Sequence, residues 1–329
     1  MRLFIARIKD IIARLVKIIT RDIWALDFSE LSDARKRTVK NAQAFILTAK
    51  GFVRERVGRE AVALSQFTML AFVPMVAVIL FISSGFGLDE ILSTSLKESF
   101  PSSTPLIQVI SGYASNMVAA TQNGIFGWVS FLSFVWTVFW LMINVGIAFN
   151  RIWQVREPRK LWHRITVYVA VMFAAPFVLV LFFSGWVWYG RFIGMLAGHL
   201  GPLSFIRSNL FWLAFYGVAV LALSVMYKFI PRAKVRYGSA LKASLIIGIP
   251  FAGIQYLYMG TQLMVTRLGA IYGALAFIPL FMIWMNLCWQ VVLFGAELSR
   301  GYTLVDYREA KERGLTELSE YDAIQIETD

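Results

Sequence analysis

Toward the end of the 329-residue chain, the apolar stretch MNLCWQVVLFGAE, Met285 to Glu297, carries an Asn, a Gln and a Glu. At roughly 100° per residue on a helix, Asn286, Gln290 and Glu297 fall within about 40° of one another, and Tyr272 and Pro279 carry the same stripe backwards. Amides in such a setting hydrogen-bond a partner helix, water or a substrate, and a carboxylate relays a proton or meets a cation. Two further apolar segments hold comparable stripes: Gly248, Phe251, Gln255, Tyr258 and Gln262 in one, and Ser133, Thr137, Trp140 and Asn144 in the other. Polar groups facing acyl chains are costly, so the three stripes are expected to turn toward one interior. The expected lining of a substrate path is Asn144, Gln255, Tyr258, Gln262, Tyr272, Asn286, Gln290 and Glu297. For any one amide, an interhelical hydrogen bond worth about 1 kcal/mol is the better account, and for the set it is the weaker one. Glu297 has a simpler use too, a helix-spaced pair with Arg300.

The elements that must position these residues are long and apolar. Hydrophobic residues make up 58% of the chain, too many for a soluble domain. Six segments have spanning length: Ala61 to Ile82, Trp128 to Phe149, Ile165 to Tyr189, Ser208 to Tyr227, Leu241 to Met264 and Ile271 to Leu298. Continuous apolar runs of this kind are helical, since barrel strands alternate. The expectation is an all-α polytopic membrane protein, a bundle of six transmembrane helices. Residues 1–60 form cytoplasmic amphipathic and elbow helices, residues 61–298 the membrane domain with a helical outer-face loop at 83–127, and residues 299–329 an acidic tail. Pro74, Pro176, Pro250 and Pro279 are expected to break their spans and widen a cavity near the midplane.

Charge sets the orientation. Of 32 Lys and Arg residues, 28 fall in the N-terminal region, the alternate loops and the tail, leaving 4 for the loops opposite. The positive-inside tendency puts both termini in the cytoplasm. The net charge of +12 then belongs to membrane electrostatics; no basic domain with stacking aromatics suggests nucleic acid. Anionic membrane lipids are the expected partners, with Arg151, Arg156, Arg232 and Arg236 attracting headgroups or anionic solutes. The aromatics of the same loops, Trp153, Trp162, Tyr227 and Tyr237, suit interfacial anchors. MRLFIARIKDIIARLVKIIT reads as an amphipathic helix on the inner leaflet, and Arg35, Lys36, Arg37 and Lys40 as a solvated or headgroup-facing cluster. Thr104 before Pro105 marks a helix start in the outer loop. Self-association into a homo-oligomer is left open.

Catalytic chemistry finds little support. His163 and His199 each stand alone, and the single Cys288 lies inside the last span, so neither a metal site nor a disulfide framework is expected. No phosphate-binding Walker loop occurs, no cleavable signal peptide is evident, and no cofactor is implied.

Four blocks together resemble the BrkB/YihY family of bacterial inner-membrane proteins: REAVALSQFTMLAFVPMVAV from Arg59, FNRIWQVREPRKLWHR from Phe149, YKFIPRAKVRYGSALKA from Tyr227 and IYGALAFIPLFMIWMNLCWQVVLFGAEL from Ile271. The resemblance covers Arg59 to Leu298, with a departure at Gln66 and Phe67, where members often carry an aromatic after the small residues. It implies six spans with cytoplasmic termini. Some members carry the label ribonuclease BN; with no expected metal site, that activity is not carried over. Others are associated with envelope integrity and serum resistance, and transport of lipid has been suggested for the family. Two readings follow: a transporter or lipid-translocating protein for an anionic lipid or solute, and a non-transporting scaffold of the envelope.

Overall fold

A computed structural model describes residues 32–85, 125–155, 204–233, 235–272 and 277–312, together with residues 24, 94, 112 and 177. Among the described residues there are six helices and no strand: α1 (Asp33–Arg54), α2 (Val57–Gly85), α3 (Ile125–Ile152), α4 (Ser204–Phe229), α5 (Tyr237–Tyr272) and α6 (Phe277–Glu312). Among the described residues, four stretches are long and apolar enough to cross a membrane: Val135–Ile152, Trp212–Phe229, Tyr237–Tyr258 and Pro279–Glu309. The expected amphipathic helix at the N-terminus, the segment Ile165 to Tyr189, His163, His199 and Arg156 lie outside the described residues, as do residues 313–329 and most of the outer loop.

α6 is the central element, packed against α5, α1 and α2; α4 lies on α5 and α3 on α2. Its 36 residues correspond to about 54 Å at 1.5 Å per residue, against about 30 Å of hydrocarbon. The C-terminal part of α6 therefore continues past a span. α1 runs antiparallel along that part: Gly51 meets Glu297, Ala44 and Thr48 meet Gly301, and Lys40 meets Asp306. Lys40 also pairs with Glu309, and Lys36 reaches Glu309 at 3.7 Å. Two members of the expected headgroup-facing cluster are thus committed to α6, because carboxylates one turn apart on its facing side match their charge; Arg35 and Arg37 remain exposed. The tail boundary expected at residue 299 falls inside a continuous helix.

The expectation is corrected at three of the four prolines; Pro176 lies outside the described residues. Pro74 and Pro250 lie inside helices that continue through them. Pro279 lies in the first turn of α6, where its missing N–H and fixed φ suit a helix start. That start also separates Tyr272, the last residue of α5, from the α6 stripe to which the sequence assigned it.

The core sits where the charged helix ends converge. Phe149, Ile152, Trp153, Tyr227, Leu293 and Leu298 are buried there. Trp153 and Tyr227, expected as interfacial anchors, are instead fully enclosed, since both occur where a helix ends against its neighbours; Tyr237 is exposed. Small residues permit the close crossings. A Cβ at Gly295 would come within 2.0 Å of the Tyr227 hydroxyl oxygen, and one at Gly248 within 2.8 Å of the Tyr216 ring.

Candidate functional site

Polar side chains gather in two places. The first is the seam of α6 with α5 and α2. Gln290 Nε2 donates to Asn286 Oδ1 at 2.6 Å, one turn back on α6, and both residues are half-buried. Among the described residues neither amide reaches another helix. Gln255 of α5 donates to Cys288 Sγ at 3.6 Å, and Tyr258 stacks on Trp284 with ring centroids 4.3 Å apart. From α2, Thr68 Oγ1 accepts the Trp289 indole N–H at 2.9 Å. Asn144 spends its amide on the Trp140 carbonyl of its own helix, at 2.8 Å. The structure thus brings Gln255 and Tyr258 to α6, beside rather than onto the Asn286–Gln290 pair, and gives Asn144 a local partner. Gln262 and Tyr272 belong to α5 by backbone, and the surroundings of their side chains lie outside the described residues.

The second place is the charged end of the bundle, and sequence reasoning missed most of it. Glu55 caps α1, its N–H bonding the Gly51 carbonyl, and Arg56 turns into α2 with φ 53°. α3 ends in a Schellman motif: Val155 N–H bonds Asn150 O, Gln154 N–H bonds Arg151 O, and Gln154 takes φ 52°. Glycine is the usual residue there; a side chain in the left-handed region costs about 1–2 kcal/mol. What Gln154 offers in return is its amide. Nε2 donates to Glu55 Oε1 at 2.8 Å, and Oε1 accepts from Arg300 Nη2 at 2.9 Å. One residue thereby ties the α1–α2 elbow, the end of α3 and α6 together.

Glu297 lies beside this bridge, 1% exposed. Its Oε2 is 3.7 Å from Arg300 Nη1, so the pair expected from helix spacing forms at a distance too long for a hydrogen bond. Glu297 Oε1 and Arg300 Nε are buried and, among the described residues, have no hydrogen-bond partner. Further contacts at this end link the sequence blocks pairwise. Arg151 bonds Glu60, and Asn150 Oδ1 accepts the backbone N–H of Arg232 at 3.0 Å. Arg151, expected to attract anions, therefore has a carboxylate partner although its side chain is half exposed. Arg232 is half-buried, while Arg236 is exposed at the start of α5, its carbonyl accepting from Ser239 and Ala240. Two signals for this cluster were present in the sequence, the NRIW and GAE runs, but nothing in spacing alone links residues 55, 154 and 297.

Comparison with known proteins gives the family. A family model described as virulence factor BrkB matches residues 48–317. The chain is 30% identical over 259 residues to a UPF0761 membrane protein of Laribacter hongkongensis (strain HLHK9), a match covering 75% of this chain and 58% of that protein. It is 28% identical over 255 residues to one of Pseudomonas aeruginosa (strain LESB58), covering 76% and 60%. A third, from Chlorobium luteolum, is 30% identical over 281 residues, covering 82% and 63%. The chain spans about three fifths of the length of these curated relatives. No solved structure matches it. With most of its length matched, and with several helices apolar enough to cross a membrane, the chain belongs to the virulence factor BrkB family of membrane proteins, the BrkB/YihY family that its sequence blocks resemble.

Proposed function

We propose that this chain is a six-span protein of the bacterial inner membrane, with both termini cytoplasmic, that translocates an anionic lipid or solute along the seam of α5 and α6. The observation that carries the reading is the Asn286–Gln290 pair: two half-buried amides in an apolar helix, bonded to each other, with hydrogen-bonding capacity left over among the described residues. An amide in a span that does not bind a neighbouring helix is available to water or to a polar headgroup. Exposed Arg56, Arg59 and Arg236 at the charged end supply attraction for anionic headgroups.

The described helix ends support this number of crossings. α3 finishes at the charged end, where Asn150 bonds Arg232; α4 also finishes there and so starts at the opposite end. A recrossing between residues 155 and 204 is part of this reading, and the apolar segment Ile165 to Tyr189 has the length for it.

A second reading has its own observation. α1 and the far half of α6 form an antiparallel helix pair that continues past the span, a form suited to holding a partner. On that reading the chain is a scaffold and the stripes only join helices. Native mass spectrometry of lipids retained after gentle purification distinguishes the two. A defined anionic lipid held by the parent and lost from an Asn286→Ala, Gln290→Ala double variant supports the seam as a lipid site. Retention of the same lipid by the double variant refutes it.

A further inference from the structure

The buried carboxylate of Glu297 is not used by the proposed lipid path, and its surroundings fit another ligand. The side chain is 1% exposed, and it points at the α1 backbone, where Gly51 leaves room for it; a Cβ at Gly51 would stand 2.9 Å from Oε1. Oε1 accepts no hydrogen bond among the described residues, and Oε2 has only the guanidinium at 3.7 Å. Arg300 is bonded more closely to Gln154, at 2.9 Å. An ionised carboxylate enclosed in this way, with one oxygen unbonded and its counter-charge held elsewhere, is costly.

We propose that Glu297 is a proton-binding site that senses acidity on the charged side of the bundle. The step is one proton transfer: a hydronium ion gives its proton to Glu297 Oε1, an O–H bond forms, and water leaves. The carboxyl becomes neutral, and Arg300 keeps Gln154 as its partner. A metal cation is a poor fit, because a guanidinium lies beside the carboxylate and, among the described residues, no group of three or more His, Cys, Asp or Glu could hold one.

Charged groups stand on every surrounding element; on α4, Lys228 donates to the Val235 carbonyl. Arg54 ends α1, and Glu55 in the elbow is engaged by Gln154 and Arg54. Glu60 of α2 and Arg151 of α3 neutralise each other. Lys242 of α5 lies over the Tyr302 ring, 5.9 Å from its centroid. Arg300 is therefore the cation whose loss should change proton binding most. Because Glu297 sits at the junction of α6 with the elbow, its charge acts on the bridge that joins α1, α3 and α6. The site stands independently of the translocation reading.

The test is infrared difference spectroscopy on the full chain in phosphatidylcholine nanodiscs, cycled between alkaline and acid buffer in H2O and in D2O. The parent is expected to gain a carboxylic C=O band characteristic of a buried acid, shifted by deuteration and absent from Glu297→Gln. In Arg300→Gln the midpoint of that band should move up by about one pH unit or more, since a neighbouring cation favours the ionised form. That second variant retains Glu297 and reads the site even where Glu297→Gln does not fold. A parent with no such band, a band that persists in Glu297→Gln, or a midpoint indifferent to Arg300→Gln overturns the proposal.

Discussion

Gly51 on α1 lies directly against the Glu297 carboxylate of α6: a Cβ at Gly51 would come within 2.7 Å of Glu297 Oε2. Here a backbone rather than a side chain encloses a charge, and the crossing of two helices depends on a missing methyl group. Gly51→Ala should destabilise the protein by about 1–3 kcal/mol, because the enclosed Glu297 has nowhere to withdraw. Thermal unfolding in detergent measures this. In a Glu297→Ala background the same substitution should cost much less, and equal costs in both backgrounds would show that the two positions do not touch.

The left-handed backbone at Gln154 gives a comparison of two small residues. Gln154→Gly and Gln154→Ala both lose the bridge to Glu55 and Arg300, but only alanine keeps the backbone penalty. The glycine variant should therefore be more stable than the alanine variant by about 1 kcal/mol. Indistinguishable melting curves would mean that α3 does not end in this conformation.

Tyr227 is fully buried, and its hydroxyl has no partner among the described residues. Tyr227→Phe removes an oxygen whose desolvation is uncompensated, so the melting temperature should stay the same or rise. Gly295→Ala, which would bring a methyl group within 2.0 Å of that oxygen, should unfold the bundle at markedly lower temperature. A large loss in Tyr227→Phe would instead reveal a hydrogen bond there.

Lys40 joins α1 to Asp306 and Glu309 of α6. Lys40→Gln should speed hydrogen exchange in the far turns of α6, around residues 303–309, and leave exchange around Leu293 as it was. Added salt should act in the same direction on the parent, though less, because these groups are only partly exposed. Unchanged exchange in the variant would assign the cohesion of α1 and α6 to their small-residue contacts alone.

Much of the fold was legible because hydrophobic runs of spanning length tolerate few readings. The apolar segments around Val138, Val220, Ile247 and Leu293 lie in helices α3, α4, α5 and α6. Where α6 begins was less legible, since Tyr272 and Asn286 share a helical stripe in a continuous apolar run while a proline places the start at Phe277. Periodicity also cannot tell a residue that faces lipid from one enclosed by a neighbour. Trp153 and Tyr227 have the composition of interfacial anchors and the position of core residues. The Glu297–Arg300 pair was legible from i, i+3 spacing, but its contact with Gly51 and the amide bridge of Gln154 was not. Those depend on helices that meet across about 100–250 residues of chain, and one sequence holds no local trace of such contacts.

The most direct test of the central claim is a translocation assay with the full chain reconstituted into liposomes that carry a fluorescent anionic phospholipid in one leaflet. Transfer to the other leaflet should be faster than in protein-free vesicles and should fall at least tenfold in the Asn286→Ala, Gln290→Ala double variant. It should persist in Lys40→Gln, which leaves the α5–α6 seam intact. Transfer equally fast in the double variant, or no faster in the parent than in empty vesicles, would contradict lipid movement along this seam and favour the scaffold.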